Sequence, residues 1–267
     1  MPPPGHEPFL RAICADPADD TVRLAYADWL DENGASPHAP DTSDEDAVAD
    51  CGPDRSRAEF IRLQIILPTR PHERDARYAR IREVFAQYRE AWLAELPALE
   101  GVQWGIDFRR GFCDRAIIRA ADLWVEHRER IVSATPVRFL ALSGAGRDGV
   151  RAALDVPEVG KLTTLALWDS RIARGHLGVV ADSPFLAELR TLILHRRAAP
   201  GMWPNESVTD DEAAALADTP HLPKLESLTL DGWVSQSAER RLRARFKSVW
   251  SGCRIRPSTP PPGSPIP

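Results

Sequence analysis

Four segments in the second half of the chain share one pattern of leucine and polar positions. In each, leucine occupies the fourth and sixth positions, and a polar or aromatic residue follows directly. The segments begin at Val137, Leu162, Leu189 and Leu225, at intervals of 25, 27 and 36 residues. Because side chains alternate along a strand, the two leucines face one side and the residues between them face the other. This leucine-rich-repeat pattern predicts parallel strands stacked into one sheet.

The stretches around these segments predict the elements that accompany the sheet. Helices or helical loops are expected behind it at residues 123–133, 150–154, 176–181, 210–218 and 237–248. Short strands are expected at 104–108 and 110–112, a degenerate first repeat at 113–118, and a terminal edge strand at 253–256. A single repeat cannot bury its own apolar face, so several must stack to form a core.

The first hundred residues have helical periodicity instead. Pro8 suits the first turn of a helix that ends at Asp16, and Asp19 or Asp20 caps a second helix that stops at Gly34 in a left-handed conformation. A third helix is predicted over 57–67 and a longer one over 72–96. The apolar stripe of the longer helix recurs at steps of three and four and predicts core packing rather than a ligand box; its members are Tyr78, Ile81, Phe85, Tyr88 and Trp92.

Two segments have too little apolar surface to fold. Residues 35–56 are rich in aspartate, proline and glycine, which predicts a flexible acidic insertion. A docking strip for a basic partner is the alternative for this insertion, but a solvated loop is favoured, because long surface insertions cost little free energy. Residues 257–267 predict a disordered proline-rich tail.

Two motifs in the first half resemble a known family. They are Tyr26–Leu30, which reads YADWL, and Arg57–Gln64, which reads RAEFIRLQ. They resemble the bacterial repeat-companion domain, a small module named for preceding repeats that are commonly leucine-rich. In the family pattern Gly34 leads almost directly into the second motif, so the resemblance implies that 35–56 is an insertion. It supports a helical module ahead of repeats and implies no established activity.

These patterns together predict an α/β protein in two parts. Residues 1–100 would form the helical repeat-companion module with its acidic insertion. Residues 101–256 would form a short leucine-rich-repeat-like solenoid with a parallel sheet. Without the asparagine that is common at the ninth repeat position, the solenoid is expected to be irregular.

Composition narrows the classes of function. The 267 residues carry a net charge of -5, which disfavours a general binder of nucleic acid or of anionic membranes. The four cysteines have no spacing suited to a metal site, so no metal and no cofactor are expected; they are Cys14, Cys51, Cys113 and Cys253. The sequence has no secretion signal and no long apolar run, which predicts a cytoplasmic protein with free thiols.

The repeat register predicts a binding surface. The position after each leucine pair gives a column on the exposed face, which consists of Ser143, Trp168, His195 and Asp231. Asp169 and Arg196 lie next to this column, and the small residues inside the pairs, Ala141 and Ala166 among them, would leave room for a partner. Tryptophan and arginine are enriched at interface hot spots, so we expect another protein to bind here. The alternative for Trp168 is packing against a neighbouring loop, such as the one around Trp203.

Three other features compete with this surface. Residues 144–149 spell G-x-G-x-x-G after a predicted strand, with Asp169 about 20 residues on, which outlines a dinucleotide site. Asp28 and Glu59 could form an acid/base pair, although ion pairs with Arg23, Arg57 or Arg62 are favoured. The function we expect is that of a non-catalytic adaptor protein. One alternative is a nucleotide-binding protein or enzyme that uses the glycine loop. In a second alternative, the helical module is the functional end and the repeats are scaffold.

Overall fold

A computed structural model describes residues 4–34, 52–66, 74–168, 175–195, 207–230 and 233–251. These residues form an α/β protein with nine α-helices and a mostly parallel sheet. The chain divides into two compact units, which are described separately. The first unit is Met1–Ala116 with His127–Val137, and the second is Ile117–Glu126 with Arg138–Pro267.

The elements follow the chain in this order. The helices are α1 (Glu7–Ala15), α2 (Asp20–Asn33), α3 (Gly52–Ile66), α4 (Arg74–Ala94), α5 (Ala121–Ala134), α6 (Arg147–Leu154), α7 (His176–Asp182), α8 (Asp210–Asp218) and α9 (Gln236–Arg245). The strands are β1 (Val102–Trp104), β2 (Phe108–Arg109), β3 (Phe112–Cys113), β4 (Arg115–Ile118), β5 (Phe139–Ser143), β6 (Thr164–Trp168), β7 (Thr191–His195), β8 (Ser207–Val208), β9 (Ser227–Leu230), β10 (Trp233–Val234) and β11 (Ser248–Ser251). A 3-10 turn, Pro157–Lys161, lies between α6 and β6.

The first unit has two apolar clusters, which meet helix α3 from opposite sides. One packs α1 and α2 on α3 around Ile13, Tyr26 and Ile61, and the other packs α4 on α3 around Phe60 and Trp92. Phe60 and Trp92 have ring centroids 5.2 Å apart. The predicted core stripe of α4 is therefore confirmed over its later turns.

Two details of the predicted helices are wrong. Tyr78 of the α4 stripe is 38% exposed, because the cluster that covers this stripe begins only at Ile81. Gly34 ends α2 in an extended conformation, with φ -65° and ψ 144°, not in a left-handed one. Close packing explains the glycine at this position, since an added Cβ would lie 2.8 Å from the Cβ of Asp54.

Helix α3 begins earlier than the predicted insertion allows. The last five residues assigned to the insertion, 52–56, form the first turns of α3, and Asp54 and Ser56 are buried. Trp92 Nε1 donates a hydrogen bond of 3.1 Å to the carbonyl oxygen of Pro53, which ties this turn to α4. Proline suits a first helical turn, so its presence in an acidic stretch was compatible with a helix start. The rest of the predicted insertion, 35–51, lies outside the described residues, as does the predicted tail.

The second unit is built on a parallel sheet. Strands β5, β6, β7, β9 and β11 pair in that order and all run parallel, and the end of β4 lies beside β5. The first leucine of each pair is fully buried and forms one row across four strands; these residues are Leu140, Leu165, Leu192 and Leu228. The second leucines, Leu142, Leu167, Leu194 and Leu230, are at most 5% exposed. The predicted strands and the burial of their leucines are confirmed.

The last strand of the sheet is not the predicted one. Helix α9 ends at Arg245, and β11 runs over Ser248–Ser251, whereas the predicted strand 253–256 lies outside the described residues. Val249 of β11 is in register with Leu228 and is buried, so valine takes the place of a repeat leucine. This strand lacks the leucine pattern, which is why its position was missed.

A tight hairpin joins β2 and β3 in the first unit. Its two turn residues are Arg110, with φ 50°, and Gly111, with φ 87°. A two-residue hairpin turn with positive φ at both positions matches the twist of the strands it joins. An added Cβ on Gly111 would lie 2.1 Å from Cγ1 of Ile61, which is fully buried. Glycine is therefore required here both by the backbone conformation and by the close approach of α3.

We expect Gly111→Ala to lower the free energy of unfolding by about 2 kcal/mol or more, since it combines a strained φ with overpacking. Urea denaturation followed by tryptophan fluorescence would measure the change. The matched control is Gly178→Ala in α7, where an added Cβ meets nothing within 4 Å. This control should raise the stability by roughly 0.5–1 kcal/mol, because alanine favours a helix interior. Equal stability of Gly111→Ala and the natural protein would contradict the packing described.

Candidate functional site

The register of the sheet brings half of the predicted binding residues together. Ser143 pairs with Trp168, and Trp168 pairs with His195, so the three lie side by side on adjacent strands, which are about 4.8 Å apart. Asp169, Arg196 and Asp231 lie outside the described residues. The structure thus places three members of the predicted column and leaves their role in binding a prediction.

The prediction that small residues would open the face is wrong for β5 and β6. Ala141 and Ala166 are both fully buried. The rings of Phe139 and Trp168 have centroids 6.5 Å apart although these residues stand at opposite ends of the two strands. The two side chains therefore lean toward each other above the alanine pair and cover it. Trp168 remains half-buried, and its packing partner is a residue of the same sheet face.

The face stays open on the other strands. Ile193 and Thr229 continue the row of Ala141 and Ala166, and both are only half-buried. Trp250 of β11 ends this row in register with Thr229 and is 58% exposed. Tryptophan is enriched in the contact surfaces of protein complexes, so an exposed tryptophan is a candidate contact residue.

We define the sheet face as seven described residues on this side of β6, β7, β9 and β11. They are Trp168, Thr191, Ile193, His195, Ser227, Thr229 and Trp250. The two tryptophans are separated across the strands by three strand spacings, roughly 14 Å, with β7 and β9 between them. Trp250 is in register with Ala166, two residues before Trp168, so the two positions are roughly 16 Å apart in all. Hydroxyl groups and one isoleucine form the floor between them.

The sheet face carries little charge. None of its residues is an aspartate, glutamate, lysine or arginine, and His195 is its one titratable side chain. Beyond the amino end of β9, Lys247 Nζ donates to Glu226 Oε1 at 2.7 Å, and this ammonium group lowers the pKa of the Glu226 carboxyl. Such a surface suits contact through aromatic rings and neutral hydrogen bonds rather than through ion pairs.

The sequence patterns did not predict the exposed Trp250 or the pair of hydroxyl residues Thr191 and Ser227. The available signal was the apolar pair Val249 and Trp250 shortly after Phe246, which does not depend on leucine. Thr191 and Ser227 stand directly before the first leucine of their strands and are in register with each other. Comparison of this position across the repeats would have revealed the hydroxyl pair.

The glycine-rich loop lies between β5 and α6. Gly144 has φ 67°, and its N–H donates a 3.2 Å hydrogen bond to the carbonyl oxygen of Trp168. The buried His176 lies with its Nε2 3.3 Å from the carbonyl oxygen of Ala145. The Gly144 N–H, a donor that could otherwise face a phosphate, is therefore engaged within the unit.

The sheet order also differs from that of a dinucleotide-binding fold. Such folds bind their ligand where the strand order reverses direction. From β5 to β11 the described strands follow each other to one side only, apart from the small β8 and β10 pair. The loop at 144–149 therefore has no crevice between diverging strands beside it.

The two acidic residues of the helical module are held in ion pairs. Asp28 accepts from Arg62 at 2.6 Å, as predicted, whereas Glu59 pairs with Arg80 of α4 at 2.7 Å. The hydrogen bonds that Arg80 donates to the Glu59 carboxylate raise the pKa of the Arg80 guanidinium. These contacts link α2 with α3 and α3 with α4, and they favour a structural role for both acids.

Comparison of the chain with protein-family models, with curated proteins and with solved structures finds no match. Within the described ranges, no three histidine, cysteine, aspartate or glutamate side chains are grouped as metal ligands would be. No helix of the described chain is long and apolar enough to cross a membrane. Function is therefore inferred from the geometry of the chain itself.

We expect NAD, NADP and FAD, each added at 1 mM, to leave the Tm unchanged in differential scanning fluorimetry. The reason is that the Gly144 N–H is already hydrogen-bonded and no strand-order reversal lies beside the loop. The comparison variant is Gly146→Ala, since an added Cβ there meets nothing within 4 Å. A rise in Tm with any of the three nucleotides that disappears in Gly146→Ala would contradict this expectation and support a nucleotide site.

Proposed function

We propose that the protein is a non-catalytic interaction protein that binds another protein through the sheet face. The observation that carries the proposal is the pair Trp168 and Trp250, which flank an uncharged floor. Interface centres are depleted in charged residues and enriched in aromatic ones, and tryptophan is a frequent hot-spot residue. The 58% exposure of Trp250 leaves most of an apolar side chain for a partner to cover.

The architecture we propose for this part is a short leucine-rich-repeat solenoid. The support is the sequential strand order together with the two leucine rows, which repeat across β5, β6, β7 and β9. The uneven intervals between repeats, and the valine in β11, make the solenoid irregular. A stack of this type offers one continuous surface along its strands, which such proteins use for binding.

The width of the sheet face favours a segment of a folded protein as the partner. An α-helix with its side chains is about 10 to 12 Å across, which fits within the roughly 14 Å that separates the two tryptophans across the strands. The hydroxyl groups of Thr191, Ser227 and Thr229 can donate or accept, so they can satisfy polar groups at the edge of such a segment. A nucleic acid would require basic residues on this face, and the sheet face has none.

The helical module completes the proposed layout. Because it contains the YADWL and RAEFIRLQ motifs, we propose that the first unit is a repeat-companion module. We propose also that the protein is bacterial and cytoplasmic. The buried ion pair of Arg57 and Glu95, at 2.6 Å, indicates that these motifs hold the helices together. In this layout the module accompanies the repeats, and partner binding belongs to the sheet face.

We expect Trp250→Ala and His195→Ala each to weaken partner binding, the first by at least tenfold, or about 1.4 kcal/mol. The partner would be co-purified from the native host with the natural chain, purified, and titrated against each variant by isothermal titration calorimetry. Trp250 is the cleaner substitution because its side chain is mostly exposed, whereas Trp168 also covers the alanine pair.

The matched control is Arg151→Ala, an exposed position on α6. It should leave the Kd within twofold of the natural value. Unchanged affinity in both Trp250→Ala and His195→Ala would show that the partner binds elsewhere. The helical module would then become the preferred binding end.

A further inference from the structure

The first unit contains a cleft of about 400 Å³ that the sheet-face proposal does not use. Its floor is formed by large, nearly fully buried side chains, among them Tyr26, Trp92, Phe108 and Phe112. Its rim includes the exposed Ala91 and Ala94 of helix α4. Cavities of this size with mostly aromatic and apolar walls are typical of small-molecule sites.

Two polar side chains that line the cleft, those of Trp92 and Thr135, already have hydrogen-bond partners. Trp92 Nε1 donates to the carbonyl oxygen of Pro53, and Thr135 Oγ1 donates to that of Cys113 at 2.5 Å. The Cys113 thiol lies 3.3 Å from the carbonyl oxygen of Gly105, and its burial raises its pKa to about 11. The thiol is therefore protonated at neutral pH and is not a nucleophile. A ligand would interact with this floor mainly by covering apolar surface.

The charged residues of the cleft disfavour the binding of an anionic ligand. The guanidinium of Arg57 is paired with Glu95 at 2.6 Å, and the two side chains are 6% and 16% exposed. Burial raises the pKa of the Tyr26 phenol, the nearby Arg57 guanidinium opposes this rise, and the negative charges of Glu95 and of the buried Asp54 add to it. The charge of Arg57 is thus already compensated by the Glu95 carboxylate, so an added anion would find no unpaired cation in the lining of the cleft.

A cationic ligand is disfavoured for a different reason. The Arg57 guanidinium already lies 5.2 Å from the ring centroid of Trp92, and that of Arg23 lies 5.1 Å from the centroid of Phe112. A cation is attracted to the negative face of an aromatic ring, and these two rings each have a guanidinium on one face. A ligand cation would therefore compete with these two guanidinium groups for the same rings.

We propose that this cleft binds a small, uncharged aromatic molecule that packs on the aromatic floor and donates a hydrogen bond to Glu95. Glu95 is the more exposed member of the buried pair, and it lines the cleft. A carboxylate accepts several hydrogen bonds, so it can bind a ligand N–H or O–H while it remains paired with Arg57. The volume admits a molecule of one or two fused rings and excludes a folded partner.

The probe we choose is 2-naphthol, which is uncharged at neutral pH, has two rings and carries one O–H donor. We expect it to bind the full-length natural protein saturably in isothermal titration calorimetry. The carboxylate 2-naphthoate has the same ring system and a negative charge, and it should bind at least tenfold more weakly. Non-saturable binding, or equal binding of the two probes, would overturn the proposal.

Cleft specificity is tested by closing the rim. Ala94→Trp puts a large side chain at the mouth, from an exposed position of α4, and should weaken 2-naphthol binding at least tenfold. Ala86→Trp makes the same change at an exposed position of the same helix that does not line the cleft. This variant should bind 2-naphthol with the affinity of the natural protein. Equal affinity of the two variants would overturn the assignment to this cleft.

The folding of each variant is checked by far-ultraviolet circular dichroism and by its urea midpoint. If Ala94→Trp fails to fold, Ala91→Trp provides a second exposed rim position. Ala91→Trp must then weaken 2-naphthol binding at least tenfold, and unchanged affinity for 2-naphthol would count against this cleft as the site. Partner binding by the sheet face is measured separately, so failure of one proposal leaves the other standing.

Discussion

The two leucine rows of the parallel sheet are the constraint on which the second unit depends. No single strand can bury its own pair, so each leucine is removed from water only when the neighbouring strands and the helices behind them are in place. Burial of one leucine stabilises the fold by roughly 1.5–3 kcal/mol. A slip of one residue in any strand would turn its leucines to the other face, so the rows also fix the register. Every residue of the opposite face is positioned as a consequence.

That opposite face has two parts with different properties. Over β5 and β6 the rings of Phe139 and Trp168 lean together and cover Ala141 and Ala166, which closes the surface. Over β7, β9 and β11 no such cover is present among the described residues, and the face ends in the exposed Trp250. Trp168 therefore has two roles, since it closes one part of the face and borders the open part.

The periodic parts of the fold could be predicted from the sequence, and the misses have physical causes. Leucine spacing and helical stripes report burial directly, which explains the correct strands and helices. Burial of Ala141 depends on a contact between side chains from two strands, and the extended Gly34 depends on the close approach of Asp54. Such tertiary contacts leave no local pattern. Strand β11 was missed for a simpler reason, because Val249 substitutes for a repeat leucine.

In the first unit a buried ion pair explains why a cleft can persist. Apolar side chains can shift to fill a gap, whereas an ion pair and its hydrogen bonds require fixed distances. Arg57 of α3 is held by Glu95, just beyond the end of α4, and Trp92 of α4 is held by the carbonyl of Pro53. Removal of one partner of such a pair would leave a buried charge uncompensated, at a cost of about 3–5 kcal/mol. These polar contacts set the spacing of α3 and α4, and the aromatic rings between the helices cannot close the cleft without breaking them.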